Sequence, residues 1–193
     1  MKENTLFFQR FIKNSGKIGA IAPSSKFLVK QVIDMISFEK TKVLVELGAG
    51  TGILSSAILR QKKKETNVIM LEPDEEFFGM LKKKFPHEEK VQVVQESAQN
   101  LPGVLAKLDF KKVDCVVSSL PFMTLGHKVS ETILSTIAEI LASGGHFVFY
   151  QYTPFRIFLV MKYFRIERFA FTALNAPPAF VFLCSSRLSQ TRK

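Results

Sequence analysis

Residues 45–52 read Val45-Glu46-Leu47-Gly48-Ala49-Gly50-Thr51-Gly52, and this stretch decides how the rest of the chain is read. It closes a strand, TKVLVEL at 41–47, whose apolar run is that of a strand buried on both faces. The glycines then make a turn in which the backbone takes open torsions and approaches a ligand closely. The segment ILSSAILRQ follows as a helix, with its N-terminal N–H groups facing that turn. A nicotinamide or flavin fingerprint needs G-x-G-x-x-G. Counted from Gly48, its third glycine would fall at Ile53, so the spacing here is G-x-G-x-G and that fingerprint is excluded.

Working outward, the strand NVIMLE (67–72) ends in Glu72, 72 − 52 = 20 residues after the last glycine. An acidic residue at that place in a βαβ unit binds a ribose diol. A third strand, VQVVQ (91–95), is followed by Glu96, Ser97 and Ala98, where a carboxylate can accept from an exocyclic adenine amine. Each feature alone is also what a tight turn or a loop carboxylate produces. All three at consecutive strand ends form the pattern of a nucleoside site.

The same alternation runs through the rest of the chain. Asp74 caps a helix that extends to about Lys84, and VDCVVSS (113–119) is a fourth strand. A helix over 127–142 stops at Gly144-Gly145, and HFVFYQY (146–152) is a fifth strand. A short helix over 154–163 precedes two antiparallel strands around Asn175-Ala176-Pro177-Pro178. Five strands alternating with helices predict an α/β doubly wound, mostly parallel sheet. Near the N-terminus, residues 3–14 form an amphipathic helix with Leu6, Phe7, Phe8, Phe11 and Ile12 opposite Arg10 and Lys13, and a second helix starts at Ser24 or Ser25.

The 193 residues suit one domain with an extension. A hydrophobic fraction of 47% with 23% charged residues excludes a disordered chain. Cys115 and Cys184 make no disulfide framework, and no Cys/His cluster points to a metal. A net charge of +10 points to acidic partners, either nucleic acid or an anionic membrane surface. No run reaches the ~18 apolar residues of a spanning helix. The expected location is the cytoplasm, peripheral on the inner face of the membrane.

With these motifs the chain resembles class I methyltransferases dependent on S-adenosylmethionine, over roughly residues 40–186. The resemblance implies a Rossmann-like seven-stranded sheet of order 3-2-1-4-5-7-6 with strand 7 antiparallel. It implies S-adenosylmethionine as cofactor. Glu46 and Gly48, Ala49, Gly50, Thr51 and Gly52 would hold the methionine end, Glu72 with Pro73 the ribose, and Glu96, Ser97 and Ala98 the adenine. The fourth strand ends Ser118-Ser119-Leu120-Pro121-Phe122, where amino-group methyltransferases carry Asn/Asp-Pro-Pro-Tyr or Asn-Leu-Pro-Tyr. There a side-chain oxygen and a backbone carbonyl accept hydrogen bonds from the target amine. Ser119 replaces Asn and Phe122 replaces Tyr, departures that weigh against a planar base as acceptor. Ser118, Ser119 and Leu120 are the candidate catalytic residues. Ser119 also borders the cofactor, and Tyr152 is a candidate for orienting the amine or relaying its proton.

The front end, with Lys17-Ile18-Gly19-Ala20-Ile21-Ala22-Pro23-Ser24-Ser25, is similar to bacterial phospholipid N-methyltransferases, as is Tyr152-Thr153-Pro154. That family implies methylation of phosphatidylethanolamine toward phosphatidylcholine. Residues 1–39 would then be a membrane-docking, cofactor-covering helical extension, and 40–193 the methyltransferase domain. A helix with bulky apolar residues and basic flanks suits an anionic interface, where each basic residue contributes about 1 kcal/mol. The catalytic domain also resembles ribosomal RNA adenine dimethylases. An RNA or DNA adenine N6-methyltransferase, or an inactive methyltransferase-like binding protein, is therefore the alternative. The dimethylases typically add a C-terminal helical domain, for which a chain of 193 residues leaves no room.

Overall fold

The computed structural model describes residues 25–122, 124–154 and 157–188. The predicted amphipathic helix at 3–14 lies outside them. Helix α1 (Lys26–Ile33) is followed by β1 (Val43–Leu47), α2 (Ile53–Gln61), β2 (Asn67–Leu71), α3 (Glu75–Lys84) and β3 (Val91–Val94). Then come α4 (Leu101–Lys107), β4 (Val113–Ser118), α5 (His127–Ile140), β5 (Leu141–Gln151), α6 (Ile157–Met161), β6 (Phe164–Thr172) and β7 (Ala179–Ser186). The seven strands form one sheet of order β3-β2-β1-β4-β5-β7-β6. Strands β1 to β5 are mutually parallel, and β7 runs antiparallel to both β5 and β6. This is the expected Rossmann-like methyltransferase architecture.

The strands hold the centre because their apolar residues serve both faces. Val45, Leu47, Ile69, Leu71, Phe147 and Phe149 point to a core closed by α4, α5 and α6. The alternate positions Leu44, Val68, Met70, Val117, Val148 and Tyr150 point to a second core closed by α1, α2 and α3. Helix α1 is therefore packed on the sheet: its Leu28 and Val32, with Met35 and Ile36 just after it, are buried in that second core. Its start is capped by Ser25 Oγ, which accepts from Leu28 N at 3.2 Å. Helix α3 begins as predicted, with Asp74 accepting from Glu76 N and Phe77 N at 2.9 and 3.1 Å. Its basic last turn, Lys82 to Lys84, suits the negative end of the helix dipole.

Two boundaries differ from the sequence expectation. Helix α5 ends at Ile140, and Gly144-Gly145 do not stop it. Residues 141–145 instead start β5, and the β4–β5 register jumps from Val113↔Leu141 to Cys115↔His146. The glycines serve this bulge. Gly144 has φ +75°, and a Cβ at Gly145 would sit 3.0 Å from the carbonyl oxygens of Ala142 and Asp114. The helix after β5 ends at Met161, short of the predicted Tyr163, because Lys162 and Tyr163 form the turn into β6 at Phe164. Cys115 and Cys184 are buried and unlinked, and burial pushes both thiols up to about 12.

Candidate active site

The glycine turn is shaped by three backbone torsions and by its neighbours. Gly48, Gly50 and Gly52 have φ of +76°, +53° and +72°, values that L side chains adopt only with strain. Their surroundings differ. A Cβ on Gly48 would meet Leu120 Cδ2 and Ser119 Oγ at 3.1 Å, so glycine here lets the β4 turn pack against the β1 turn. A Cβ on Gly52 would meet Leu81 Cδ2 at 2.8 Å, so glycine here lets α3 approach. A Cβ on Gly50 would meet nothing within 4 Å, so this peptide faces open space. Gly48 N donates to Leu71 O at 2.9 Å, which ties the turn to the end of β2. Lys84 Nζ donates to Thr51 O and Gly52 O at 3.2 and 2.9 Å.

Two carboxyl groups lie beneath and beside this turn. Glu72 is fully buried. Its Oε2 accepts from Gly50 N at 2.8 Å and its Oε1 from Asp74 N at 3.0 Å. Burial raises its pKa, and these two N–H groups partly offset that. Each oxygen keeps acceptor capacity, so the residue read from the sequence as a ribose ligand is first a clamp that shapes the glycine turn. Glu46 is buried on the α2 side of β1, beside Ser55 and within the field of Lys84 and Glu72. Loss of hydration pushes its pKa up to about 8. Among the described residues neither Glu46 Oε2 nor Ser55 Oγ completes a hydrogen bond. Buried acceptors without a donor are rare and costly, and this one lies at the end of β1 under the turn.

At the end of β4, Ser118 Oγ is buried and accepts from Leu120 N at 3.2 Å. Ser119 Oγ donates to Gly48 O at 2.5 Å, and Ser119 N donates to Leu47 O at 3.1 Å. The hydroxyl proton is thus directed at the glycine turn, while the Ser119 oxygen keeps acceptor capacity. The Leu120 carbonyl accepts from Gln151 Nε2 at 2.8 Å and from Phe122 N at 2.9 Å, and the Gln151 amide also donates to Tyr150 O at 2.8 Å. The sequence motifs do not single out Gln151, although its parity is a signal: it is a polar residue in register with the inward-facing Phe147 and Phe149.

Phe122 turns into the core. It packs edge-on against Phe147 and Phe149 with ring centroids 6.3 and 6.1 Å apart. Tyr152 packs with the second core, on the opposite face from Leu120, with its ring 5.9 Å from that of Tyr150. Burial raises its pKa, and Tyr150 adds to the rise.

At the end of β3, Glu96 holds its own loop, accepting from Ser97 N and from Asn100 Nδ2, each at 2.9 Å. Ser97 Oγ accepts from Gln99 N and starts the short turn from Ala98. A cleft opens over these strand ends between Gly48, Leu71, Pro73, Ala98, Leu120 and Ile133. It unites the glycine turn, the residue after Glu72, the β3 loop and the β4 turn. Crevices at the carboxyl ends of a parallel sheet, where strand order reverses, are where ligands bind in such folds.

Residues 44–145 match the family described as a methyltransferase domain. Over 187 residues the chain is 30% identical to the ornithine lipid N-methyltransferase of Singulisphaera acidiphila, covering 95% of this chain and 96% of that protein. The ribosomal RNA small subunit methyltransferase A of Mycoplasma mycoides subsp. mycoides is 24% identical over 119 residues, 61% of this chain and 42% of that one. Among solved structures, the N-methyltransferase NodS from Bradyrhizobium japonicum WM9, in complex with S-adenosyl-L-homocysteine, shares the fold. Its TM-score is 0.69 at 11% identity, over 84% of this chain and 89% of that chain.

The chain belongs to the S-adenosylmethionine-dependent methyltransferases. It is an enzyme of that class, and its cofactor is S-adenosylmethionine. The residues of the glycine turn fit that cofactor. The orphaned Glu46 carboxyl beneath the turn would ionise against a cation, and the open face of Gly50 leaves room for close approach.

Proposed function

We propose that this enzyme N-methylates the headgroup amine of a membrane lipid, phosphatidylethanolamine in the first instance, working on the cytoplasmic face of the membrane. Bound S-adenosylmethionine supplies an electrophilic methyl group, so the protein's part is to bind, orient and exclude water. Glu46 and the turn from Gly48 to Gly52 hold the methionine end. Glu72 receives ribose hydroxyls on its remaining lone pairs, beside Pro73, and Glu96, Ser97 and Ala98 meet the adenine. Ser119 Oγ accepts from the acceptor amine, the Leu120 carbonyl does so as one of its two present donors yields, and together they set the direction of the amine lone pair. Gln151 Nε2 and Phe122 N fix that carbonyl in place. The amine must arrive unprotonated, because a protonated amine has no lone pair to attack with.

The observation that carries the choice of acceptor is the place of Phe122. A flipped base is held by stacking on an aromatic or apolar plate. Here the aromatic ring next to the acceptor turn is committed to the core, edge-on against the stacked rings of Phe147 and Phe149. The turn keeps acceptors for an amine and no ring from Phe122 for a base. A lipid amine needs only those acceptors. The likeness to an ornithine lipid N-methyltransferase over nearly the whole chain supports the same class of acceptor.

The partial likeness to ribosomal RNA methyltransferases keeps adenine as the second reading. The test is a methyl-transfer assay with radiolabelled cofactor on phosphatidylethanolamine vesicles, ornithine lipid vesicles and small-subunit ribosomal RNA. Incorporation into aminolipid supports the proposal. Incorporation into RNA alone overturns it, and incorporation into ornithine lipid alone corrects the headgroup.

A further inference from the structure

Strand β6 forms one edge of the sheet and runs parallel to β5, because both are antiparallel to β7. Its carboxyl end therefore lies at the same end of the sheet as the cleft. Two large aromatic side chains on it are exposed, Phe169 at 69% and Phe171 at 50%. Leu174, in the loop that follows, is 67% exposed, and Phe27, in the first turn of α1, is 54% exposed. The last two come from one neighbourhood: Asn175 Oδ1 accepts from Ser25 N at 2.9 Å, tying the loop after β6 to the start of α1.

These apolar groups connect to the acceptor turn. Phe169 pairs with Phe182 and Phe171 with Phe180, and directly paired residues point to the same face. The Phe171 and Phe180 rings are 4.9 Å apart, and Phe180 in turn lies opposite Gln151. Gln151 bonds the Leu120 carbonyl. One row thus runs from the exposed edge, through Phe171 and Phe180, to the carbonyl proposed to receive the amine.

The charge around the row is net positive. Across residues 157–175 the basic groups are Lys162, Arg165 and Arg168, against the acid Glu167; Lys162 is paired with Glu131 at 2.7 Å and Arg165 with Glu167 at 2.9 Å, which leaves one net positive charge beside the row. Exposed apolar side chains amid basic ones suit the headgroup boundary of an anionic bilayer. The strand also carries devices that discourage pairing with another sheet edge: charges on Arg165, Glu167 and Arg168, and a register shift between Ile166 and Arg168.

We propose that the edge formed by Phe169, Phe171 and Leu174 is the surface that this enzyme lays on an anionic lipid bilayer. That contact places the acceptor turn at the headgroup layer. The inference rests on the lipid reading above and adds a docking surface separate from residues 3–14.

The test uses the full chain with vesicles of phosphatidylglycerol mixed with phosphatidylcholine. The variants are the double change Phe169→Ser and Phe171→Ser, the single change Leu174→Ser, and the triple change Phe7, Phe8 and Phe11→Ser. The double variant should bind these vesicles about tenfold or more weakly, from the loss of two aromatic side chains. Leu174→Ser, which touches no strand, should shift binding in the same direction by a smaller factor. Calorimetric affinity for S-adenosylmethionine should be unchanged in both, which shows that the fold is intact.

If wild type neither binds vesicles nor methylates lipid, the lipid reading itself fails. If wild type binds and the double variant binds equally well, with only the triple variant losing affinity, the edge proposal is overturned. It is also overturned if sedimentation shows a wild-type dimer that the double variant dissociates, since the edge then meets a second copy.

Discussion

Glu46→Gln removes one proton-binding group from beneath the glycine turn while keeping its shape. In the folded protein burial pushes the Glu46 pKa from 4.5 up to about 8; Ser55 and Lys84 lower it and Glu72 raises it. In the unfolded chain the same carboxyl titrates at its ordinary value. Below about pH 4.5 both states hold the proton, and pH has no effect through this group. Between about pH 4.5 and about pH 8 the unfolded state releases the proton and the folded state retains it. The folded state then binds more protons, so stability falls as pH rises. Each pH unit in that window removes about 1.4 kcal/mol, for a total of roughly 4–5 kcal/mol.

The assay is urea unfolding of the cofactor-free protein between about pH 5.5 and about pH 8.5, a range chosen to bracket most of that window. Wild type should lose several kcal/mol across it, and Glu46→Gln should flatten the profile by about 3 kcal/mol. A cation placed against Glu46 favours the ionised form, so cofactor binding should release protons near neutral pH in wild type and not in the variant. Calorimetry in buffers of different ionisation heat measures that difference. Parallel stability profiles for the two proteins would refute the claim that Glu46 holds a proton under the turn.

Glu72→Ala should weaken cofactor affinity at least tenfold in calorimetric titration and also lower stability, by about 2–4 kcal/mol, since it leaves Gly50 N and Asp74 N without their acceptor. Gly52→Ala should destabilise the fold by roughly 2–4 kcal/mol in denaturant unfolding, from its positive φ and the 2.8 Å clash with Leu81. Gly50→Ala, with open space around its Cβ, should cost only about 1–2 kcal/mol. Gln151→Leu should lower kcat for lipid methylation with little change in cofactor affinity, because it removes one of the two donors that position the Leu120 carbonyl and leaves the glycine turn intact.

The glycine spacing, the carboxylates at successive strand ends and the Asp74 cap were legible because each is a local signal. A turn, a strand end and a helix start are written in adjacent residues. The sheet order followed from the resemblance those motifs carry, and the structure bears it out. What was not legible depends on contacts far apart in sequence. Glu72 looked free to meet a ribose, but its oxygens are first engaged by Gly50 N, 22 residues away in the chain, and by Asp74 N. Gly144-Gly145 reads as a helix stop, but one of the two residues pressing on Gly145 is Asp114, on the neighbouring strand. Tyr152 sits two residues after Tyr150 and shares its face, whereas Gln151, between them, faces Leu120. Strand parity alone separates those two roles, and it is decided by which face each core occupies. The helix at 26–33 read as part of an extension because its partners, Val148 and Val181, come from the other end of the chain.

The central claim is that the methyl group goes to a lipid nitrogen held by Ser119 and Leu120. The most direct measurement incubates the full chain with phosphatidylethanolamine vesicles and a cofactor carrying a trideuterated methyl group. Tandem mass spectrometry of the extracted lipid then locates the label. The prediction is a labelled headgroup fragment with the methyl on nitrogen, lost in Glu72→Ala. A label confined to adenine of added ribosomal RNA, or none on any aminolipid while the cofactor binds normally, would contradict it.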